Sequence, residues 1–499
     1  MLYSIVYGQG NVKQKIKIVR KDSDMMEELN RFLVFMRPAF SRRATYCWFV
    51  VVFVGFILRT DNFGVSSIIR ALALAPENYT CLLHFFHSTA WDIETIMPIW
   101  WRWLVQKNVA YRVNNRLVLV GDHTKTPKDG RKMPAVTTLH QDSETSSKPS
   151  YFRGHHWGCI SLLVQACDKY SAVPLLATIQ EGLALMVNSE EKRRLPKTVQ
   201  IIEMAKQTAL AMGTESYLVL DAYFAVGPVF SAAAEQLNGI DNFVHILTRA
   251  KKNIVAYHTP SARKKHQRGR TKIYGTKIKM TTLFDSTANR YAFQTIKADL
   301  YNKSETVRYL VLDLLWKPVK GMLRFILVET SRGRIILMTS DLTLDPATAI
   351  HLYCRRVTIE TLFDTLKNTL GAMAYHFWSH YLSPASRRPK KNEEQEQNSS
   401  NPVQTRNTLA AIEKFVNVQL LVLGMLQLIA KKFPSQVKAK ANCWLRTFSA
   451  DTPSEFVTRT ALTNILKNNL YGFAKDLITQ LILRKQKARK NKGINKKAA

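Results

Sequence analysis

Apolar residues recur along this chain in more than one rhythm, and the changes of rhythm divide it. Residues 27–110 carry long apolar runs interrupted at Gly64 and Pro76 and read as a helical region. Its most apolar run, Cys47 to Leu58, is about half of what a helix needs to span a bilayer, so it reads as a buried helix. Val65 to Leu72 follows Gly64 with serines available as caps; it reads as a plain packed helix or as the second helix of a helix-turn-helix. From residue 111 the runs become short and wholly apolar. Arg116–Val120, Ile160–Gln165, Ala172–Ile179, Tyr217–Leu220 and Phe243–Thr248 read as buried strands, the first closing at Gly121-Asp122 and the fourth at Asp221. A helix over Lys197–Met212 lies among them, and strands alternating with helices predict an α/β fold.

Between 250 and 345 the pattern becomes a series of strands joined by short turns, at Ile254–His258, Thr276–Phe284, Thr306–Leu315, Met322–Thr330 and Arg334–Thr339. This reads as a β-rich insertion within the α/β unit, residues 111–249 being the first part of the core and 346–381 its return. That return opens with a helix from Pro346 to Leu370. Residues 382–407, with Arg387-Arg388-Pro389-Lys390-Lys391 followed by Glu, Gln, Asn and Ser, read as a low-complexity linker. Two or three helices are expected over 408–483. Residues 1–26 read as a basic extension and 484–499 as a basic tail, either a solvated end or a non-specific DNA contact.

Charge narrows the function. Lys plus Arg number 72 and Asp plus Glu 37, a net +35 on 499 residues, which points to a polyanion: nucleic acid first, an anionic membrane second. The six cysteines form no CxxC pair, so neither a disulfide scaffold nor a zinc ribbon is indicated, and with no signal-peptide pattern the chain reads as reduced and cytoplasmic, with no membrane partner. No Walker A loop occurs, so ATP use is not indicated.

The candidate chemistry lies in carboxylates. Asp122 and Asp221 each follow a buried strand, where acids of neighbouring strands can converge at one sheet edge. On the later helix Tyr353, Arg356, Glu360 and Lys367 fall at spacings of three, four and seven, one stripe within roughly 60° at about 100° per residue. The adjoining apolar stripe of Ile359, Leu362, Phe363, Leu366 and Leu370 would pack that helix on the sheet and carry Glu360 to the aspartates. Three carboxylates can hold two Mg²⁺ ions, with Mn²⁺ as the substitute, about 3.5–4 Å apart. Taken singly, an Asp after a strand is a common turn former and Glu360 could be a surface residue; the combination is what points to a site. Asp313, Asp341 and Asp129 compete, the first two as strand-end or turn residues and the third as a loop acid. Lys125, Lys128, Arg131 and Lys132 could bind phosphates near the site. Arg263 to Arg270, including Arg268 and Arg270, reads as a flexible phosphate-contacting loop or a solvated one. Cys81, His84 and His87 share a helical face without an evident fourth ligand, so packing is the favoured reading over zinc.

The series Tyr353-x-x-Arg356-x-x-x-Glu360 followed by Lys367 resembles the YREK motif of a large family of bacterial insertion-sequence transposases, of the DDE class with a ribonuclease-H-like core. Gly121-Asp122-His123-Thr124, Gly154-His155-His156-Trp157-Gly158, Leu220-Asp221-Ala222-Tyr223-Phe224 and Tyr375-His376-Phe377-Trp378-Ser379 also look like that family, over roughly 30–430. The resemblance implies that Asp122, Asp221 and Glu360 form a metal-binding catalytic triad. It implies that Arg356 and Lys367 hold transposon-end phosphates with Tyr353 beside them, and that residues 250–345 are the insertion typical of this branch. Trp316 is then a candidate for stacking on an extruded base, with core packing as its alternative reading. The implied function is Mg²⁺-dependent cutting at the ends of an insertion sequence and joining of the 3′-hydroxyl ends to target DNA. The partners are double-stranded DNA and a second copy of the chain in a synapse, in a nucleoid-associated bacterial setting. Two rivals stand beside it: a structure-selective nuclease on the same core, and a non-catalytic basic DNA-binding protein derived from a transposase.

Overall fold

The computed structural model describes residues 24–141, 150–166, 169–182, 195–237, 239, 243–262, 269–286, 291–300, 303–386, 399–444, 451–472 and 475–487. Among these residues the frame is one mixed sheet of 13 strands with helices around it, β1 (Arg112–Val113) and β3 (Thr137–His140) being two of its short strands. β2 (Arg116–Pro127), β4 (Tyr151–Ala166) and β5 (Lys169–Ile179) form an antiparallel meander. The chain then crosses through α6 (Lys197–Ala211) to β6 (Ser216–Leu220), parallel to β2, and through α7 (Gly227–Ala234) to β7 (Val244–Arg249), parallel to β6. β5 is edge-paired only to β4, and its outer backbone groups would be open for pairing. Side chains close it instead: Trp100 and Trp101 donate to Pro174 O and Leu175 O at 2.9 Å, and Asn417 both donates to Ala177 O and accepts from Ala177 N.

The strands of the presumed insertion continue the same sheet. β13 (Gly333–Thr339) pairs antiparallel with β7, β12 (Gly321–Thr330) with β13, and β11 (Lys303–Trp316) with β12. β8 (Val255–Tyr257) and β9 (Lys277–Lys279) complete that side, and β10 (Gln294–Leu300), for which the sequence pattern carried no prediction, pairs with β11. The strand expected over Thr276–Phe284 is short: it yields to a 3-10 helix over Met280–Asp285 that buries Met280, Leu283 and Phe284.

On the N-terminal side are a helix over 24–35 (α1), α2 (Arg43–Leu58), α3 (Ser66–Ala71), α4 (Asn78–His87) and α5 (Ile93–Lys107). Residues 24–26, expected to belong to a polar extension, are helical, and Met25 is fully buried. In α2 every residue from Trp48 to Leu58 is buried, as a helix apolar on all sides requires. Its Gly55 admits close contact with α3: a Cβ there would stand 2.5 Å from Ile68 Cγ2. The serines of α3 do not cap its N-terminus; Ser67 Oγ donates to Gly64 O at 2.7 Å and accepts from Arg59.

After the core come α10 (Pro402–Lys432), α11 (Pro434–Ala441), α12 (Glu455–Tyr471) and α13 (Leu477–Gln486). The linker expected to reach 407 therefore ends earlier, because Asn401 caps α10 and Pro402 begins it; residues 387–398 lie outside the described residues. Likewise Arg484–Gln486 close α13, and the rest of the basic tail from 488 lies outside them. By length and composition α10 could cross a membrane, yet 83% of its most apolar window is buried within the fold. Two arginines, Arg59 fully buried and Arg459 partly buried, tie these parts together. Arg59 donates to Ser67, Gly371 O, Leu370 O and Gln419, while Arg459 of α12 donates to Ile57 O, Thr369 O and Arg59 O.

Candidate active site at the end of the parallel strands

β2 and β6 run side by side from Leu117 opposite Ser216 to Val120 opposite Val219. There they part. β6 ends at Leu220, and Asp221 caps a single 3-10 turn over Ala222–Phe224, its carboxylate accepting from Tyr223 N at 2.9 Å. β2 does not end at Asp122, as the apolar run suggested; it continues to Pro127 because β4 pairs with it residue for residue, Asp122 standing opposite Cys159. Asp122 is thus held inside a strand rather than in a turn. The apolar run stopped early because only the first half of β2 is flanked by strands on both sides. Gly121 allows that crowding, since a Cβ there would meet Ile160, Leu220 and Ile201 side chains at 3.0–3.1 Å.

The two aspartates share a low-dielectric edge. Burial, then the charge of Asp221, pushes the Asp122 pKa up to about 7. Burial also raises that of Asp221. Both shifts mean that negative charge here is incompletely compensated by the protein.

The later helix is not continuous. α8 (Pro346–Arg355) opens on an Asp345 cap with Pro346 in its first turn, and α9 (Thr358–Asp364) begins two residues after α8 ends. Between them Arg356 and Val357 form a tight turn: Arg356 N donates to Tyr353 O and Ile359 N to Arg356 O. α9 then passes into a π-turn over Thr365–Thr369, a widened stretch of the sort that often accompanies functional sites. The expected single stripe of four residues on one regular helix is therefore not what forms. Two of the four nonetheless reach β2 or its acid, and Glu360 is joined to them through Arg356. Arg356 Nη1 lies 3.2 Å from Asp122 Oδ2, and its other Nη pairs with Glu360 Oε1. Lys367 Nζ donates to Thr124 Oγ1 at 2.6 Å and Lys125 O at 3.1 Å. Asp122 and Thr124 are two apart and so share one face of the strand. Ile359, Leu362 and Leu366 are buried, which seats α9. Tyr353 is half-buried against the core, and its phenol acts electrostatically on Arg356. Burial would lower the Arg356 pKa, but Asp122 and Glu360 outweigh it, and the net shift is upward.

Oxygen-rich, partly shielded and under-compensated, this donor set has the chemistry of a hard divalent cation site. Arg356 supplies the neighbouring positive charge, and among the described residues no three His, Cys, Asp or Glu side chains are grouped so as to hold one ion together.

The other candidates are placed as follows. Lys125 Nζ donates to His140 O at 2.8 Å and Lys132 Nζ to His380 O at 3.3 Å. Lys128 is not a phosphate-binding group in this arrangement. It is buried over the Tyr375 ring and donates to Met373 O and Tyr375 O, and burial lowers its pKa to about 8. Trp316 is 6% exposed and meets Phe230 edge-on at 5.5 Å, which is the core-packing alternative rather than an offered stacking face. Arg270 is exposed; Arg268 lies outside the described residues. The competing acids are engaged elsewhere, Asp313 with Arg324 and Asp341 with Arg116 and Tyr217. His87 of the Cys81 face donates from Nδ1 to Leu83 O and packs on Phe377.

Sequence reasoning passed over the residues behind the acids. His123, on the opposite face of β2 from Asp122, packs on His156 at 4.7 Å and Phe224 at 5.0 Å, while its backbone N donates to Asp122 Oδ1 at 2.7 Å. Thr248 of β7 donates to Asp221 O at 2.5 Å. Strand alternation could have separated His123 from Asp122; nothing local could have found Thr248.

A family model described as DDE superfamily endonuclease matches residues 36–303, more than half of the chain. The match holds Asp122 and Asp221 and ends ahead of Glu360. No curated protein matches the chain.

Proposed function

The chain belongs to the DDE superfamily of endonucleases, and from that membership we propose that it is a DNA transposase of the YREK type. In this reading it cuts the ends of an insertion sequence and joins the freed 3′-hydroxyls to target DNA. The observation that carries the reading is the meeting at one sheet edge of Asp122 and Asp221, from neighbouring parallel strands, with Arg356 against Asp122 and Glu360 on Arg356. The order of the strands supports a ribonuclease-H-like core: an antiparallel meander of β2, β4 and β5, then β6 and β7 parallel to β2 through helical crossovers.

Asp122, Asp221 and Glu360 would hold Mg²⁺ or Mn²⁺, whose chemistry there is activation of a water or 3′-hydroxyl and stabilisation of the leaving oxygen. The chain's own groups do the rest. The Arg356 fork is shaped to take two oxygens of a DNA phosphate. Lys367 clamps α9 to Thr124 and Lys125 and so keeps Glu360 beside the strand that carries Asp122. Lys125, Lys132 and exposed Arg270 add positive charge, and the net +35 draws in the polyanion. No covalent protein–DNA intermediate is required. Two copies of the chain would hold the two DNA ends in a synapse, in the bacterial nucleoid.

The test is incubation of the protein with linear DNA carrying the repeats that flank its gene, with and without Mg²⁺ or Mn²⁺. Ion-dependent cutting followed by joining is expected. Cutting without joining would replace transposition by a nuclease activity, and a mobility shift with neither would leave only a DNA-binding protein.

A further inference from the structure

We propose that Arg356 is the resident counter-ion of the carboxylate edge, standing in the ion-free protein where a divalent cation would act, so that ion loading and DNA binding favour each other. This rests on the metal-binding reading given above. Both terminal nitrogens of the Arg356 guanidinium are committed to acids proposed as ligands, one to Asp122 Oδ2 at 3.2 Å and the other to Glu360 Oε1. The Arg356 and Asp122 side chains are each only 18% exposed, so that half is a held contact, whereas Glu360 is 53% exposed and its half lies toward solvent. Lys367 is a contrast: its ammonium donates to a hydroxyl and a backbone carbonyl, and its hydrogen bonds leave the acids free.

An ion on Asp122 and Glu360 competes with Arg356 for the same two negative charges, and two cations on one pair of carboxylates repel. A guanidinium displaced from them needs new acceptors, from water or from bound DNA. A phosphodiester, tetrahedral where a carboxylate is planar, likewise offers two charged oxygens, and Arg binds both in a forked manner. DNA at the edge would therefore exchange the partners of Arg356 rather than strip them. By linkage, the factor by which DNA tightens the ion equals the factor by which the ion tightens DNA. Arg356 lies between α8 and α9 with helical backbone dihedrals, so turning its side chain requires no change of backbone conformation.

The test is titration of the full-length protein with Mn²⁺, without DNA, read by the electron paramagnetic resonance of free Mn²⁺. The proteins compared are wild type, Arg356→Gln, Arg356→Lys and Asp221→Asn, with far-ultraviolet circular dichroism to establish folding. Arg356→Gln should bind Mn²⁺ on the order of tenfold more tightly than wild type, the scale of a lost charge-assisted hydrogen-bond pair. Arg356→Lys, whose single ammonium cannot fork across both acids, should fall between them, and Asp221→Asn should lose the ion. Unchanged or weaker Mn²⁺ binding in Arg356→Gln, with loss in Asp221→Asn, overturns the counter-ion role and leaves the metal site standing. If Arg356→Gln does not fold, unchanged or weaker binding in Arg356→Lys overturns it equally. Absence of Mn²⁺ binding in wild type removes the metal-site reading and this inference together.

Discussion

β2 and β6 carry a charged cluster near each end, and the two clusters are opposite in character. At the starts of the strands, Arg116 donates to Glu215 and to Asp341, and Tyr217 OH donates to Asp341 at 2.6 Å. Thr343 adds two more donors to Asp341. Burial works against this carboxylate, yet the donors from Thr343 and Tyr217 carry its pKa down to about 2. At the far ends, Asp122 and Asp221 face each other with fewer donors, and their pKa values rise. One cluster is a finished brace. The other is a site that asks for positive charge from outside. Burial opposes the charged form in both, so it is the count and aim of the donors that separates structure from function.

The largest effect that would break the comparison is on chemistry. Asp221→Asn is expected to retain DNA binding and to lower cutting by at least about 10³-fold, roughly 4 kcal/mol of barrier, with no loss of thermal stability. Retained cutting would remove Asp221 from the site. Asp341→Ala should do the reverse: it leaves Tyr217 and Arg116 without their shared acceptor and should cost about 2–3 kcal/mol in urea unfolding, while cutting per folded molecule holds.

Acid titration of the ion-free protein sharpens the contrast, because the signs differ. Asp341 has its folded pKa below the usual 3.8, so its stabilisation is complete above that value and is lost as pH falls toward about 2. Asp122 has its folded pKa raised to about 7, so its protonated form favours the fold below about 4, and that contribution is lost as pH rises through 7. Stability measured against pH should therefore fall on the acid side in wild type and fall less steeply in Asp341→Asn, where Glu181, Glu28 and Glu215 still titrate below their usual range. The decline from about pH 4 to 7 should flatten in Asp122→Asn. The smallest expected effect is at the rim: Arg270→Ala should weaken DNA binding a few-fold at any sequence and lower the salt slope by about one. A sequence-dependent loss there would mean that Arg270 reads bases.

Much of the core was legible because local patterns carried it. The all-apolar runs at Arg116–Val120 and Tyr217–Leu220 and the helical period from Lys197 coincide with β2, β6 and α6, since strands covered on both faces must be apolar at every position. The acids following those runs fall near one another for the same reason. The continuation of β2 past Asp122 was hidden, because its residues there alternate between the α9 side and the His156 side and look like a polar loop. The turn at Arg356–Val357 and the π-turn after α9 were also hidden: neither Gly nor Pro marks them, and helical spacing extrapolates smoothly across both.

The chain's residues by themselves determined which segments are apolar, the excess of positive charge and the presence of well-spaced acids, because those properties belong to single residues and their near neighbours. Only the tertiary structure decided which acids are supplied with donors and which are left wanting. Asp341 and Asp122 are both aspartates on or beside buried strands, and near neighbours separate them only in part: Thr343 gives Asp341 two local donors, and His123 N gives Asp122 one. The rest of the difference is made at Asp341 by Tyr217, 124 positions away, and at Asp122 by burial and the charge of Asp221, 99 positions away, and an electrostatic environment assembled over such distances exists only once the chain has folded.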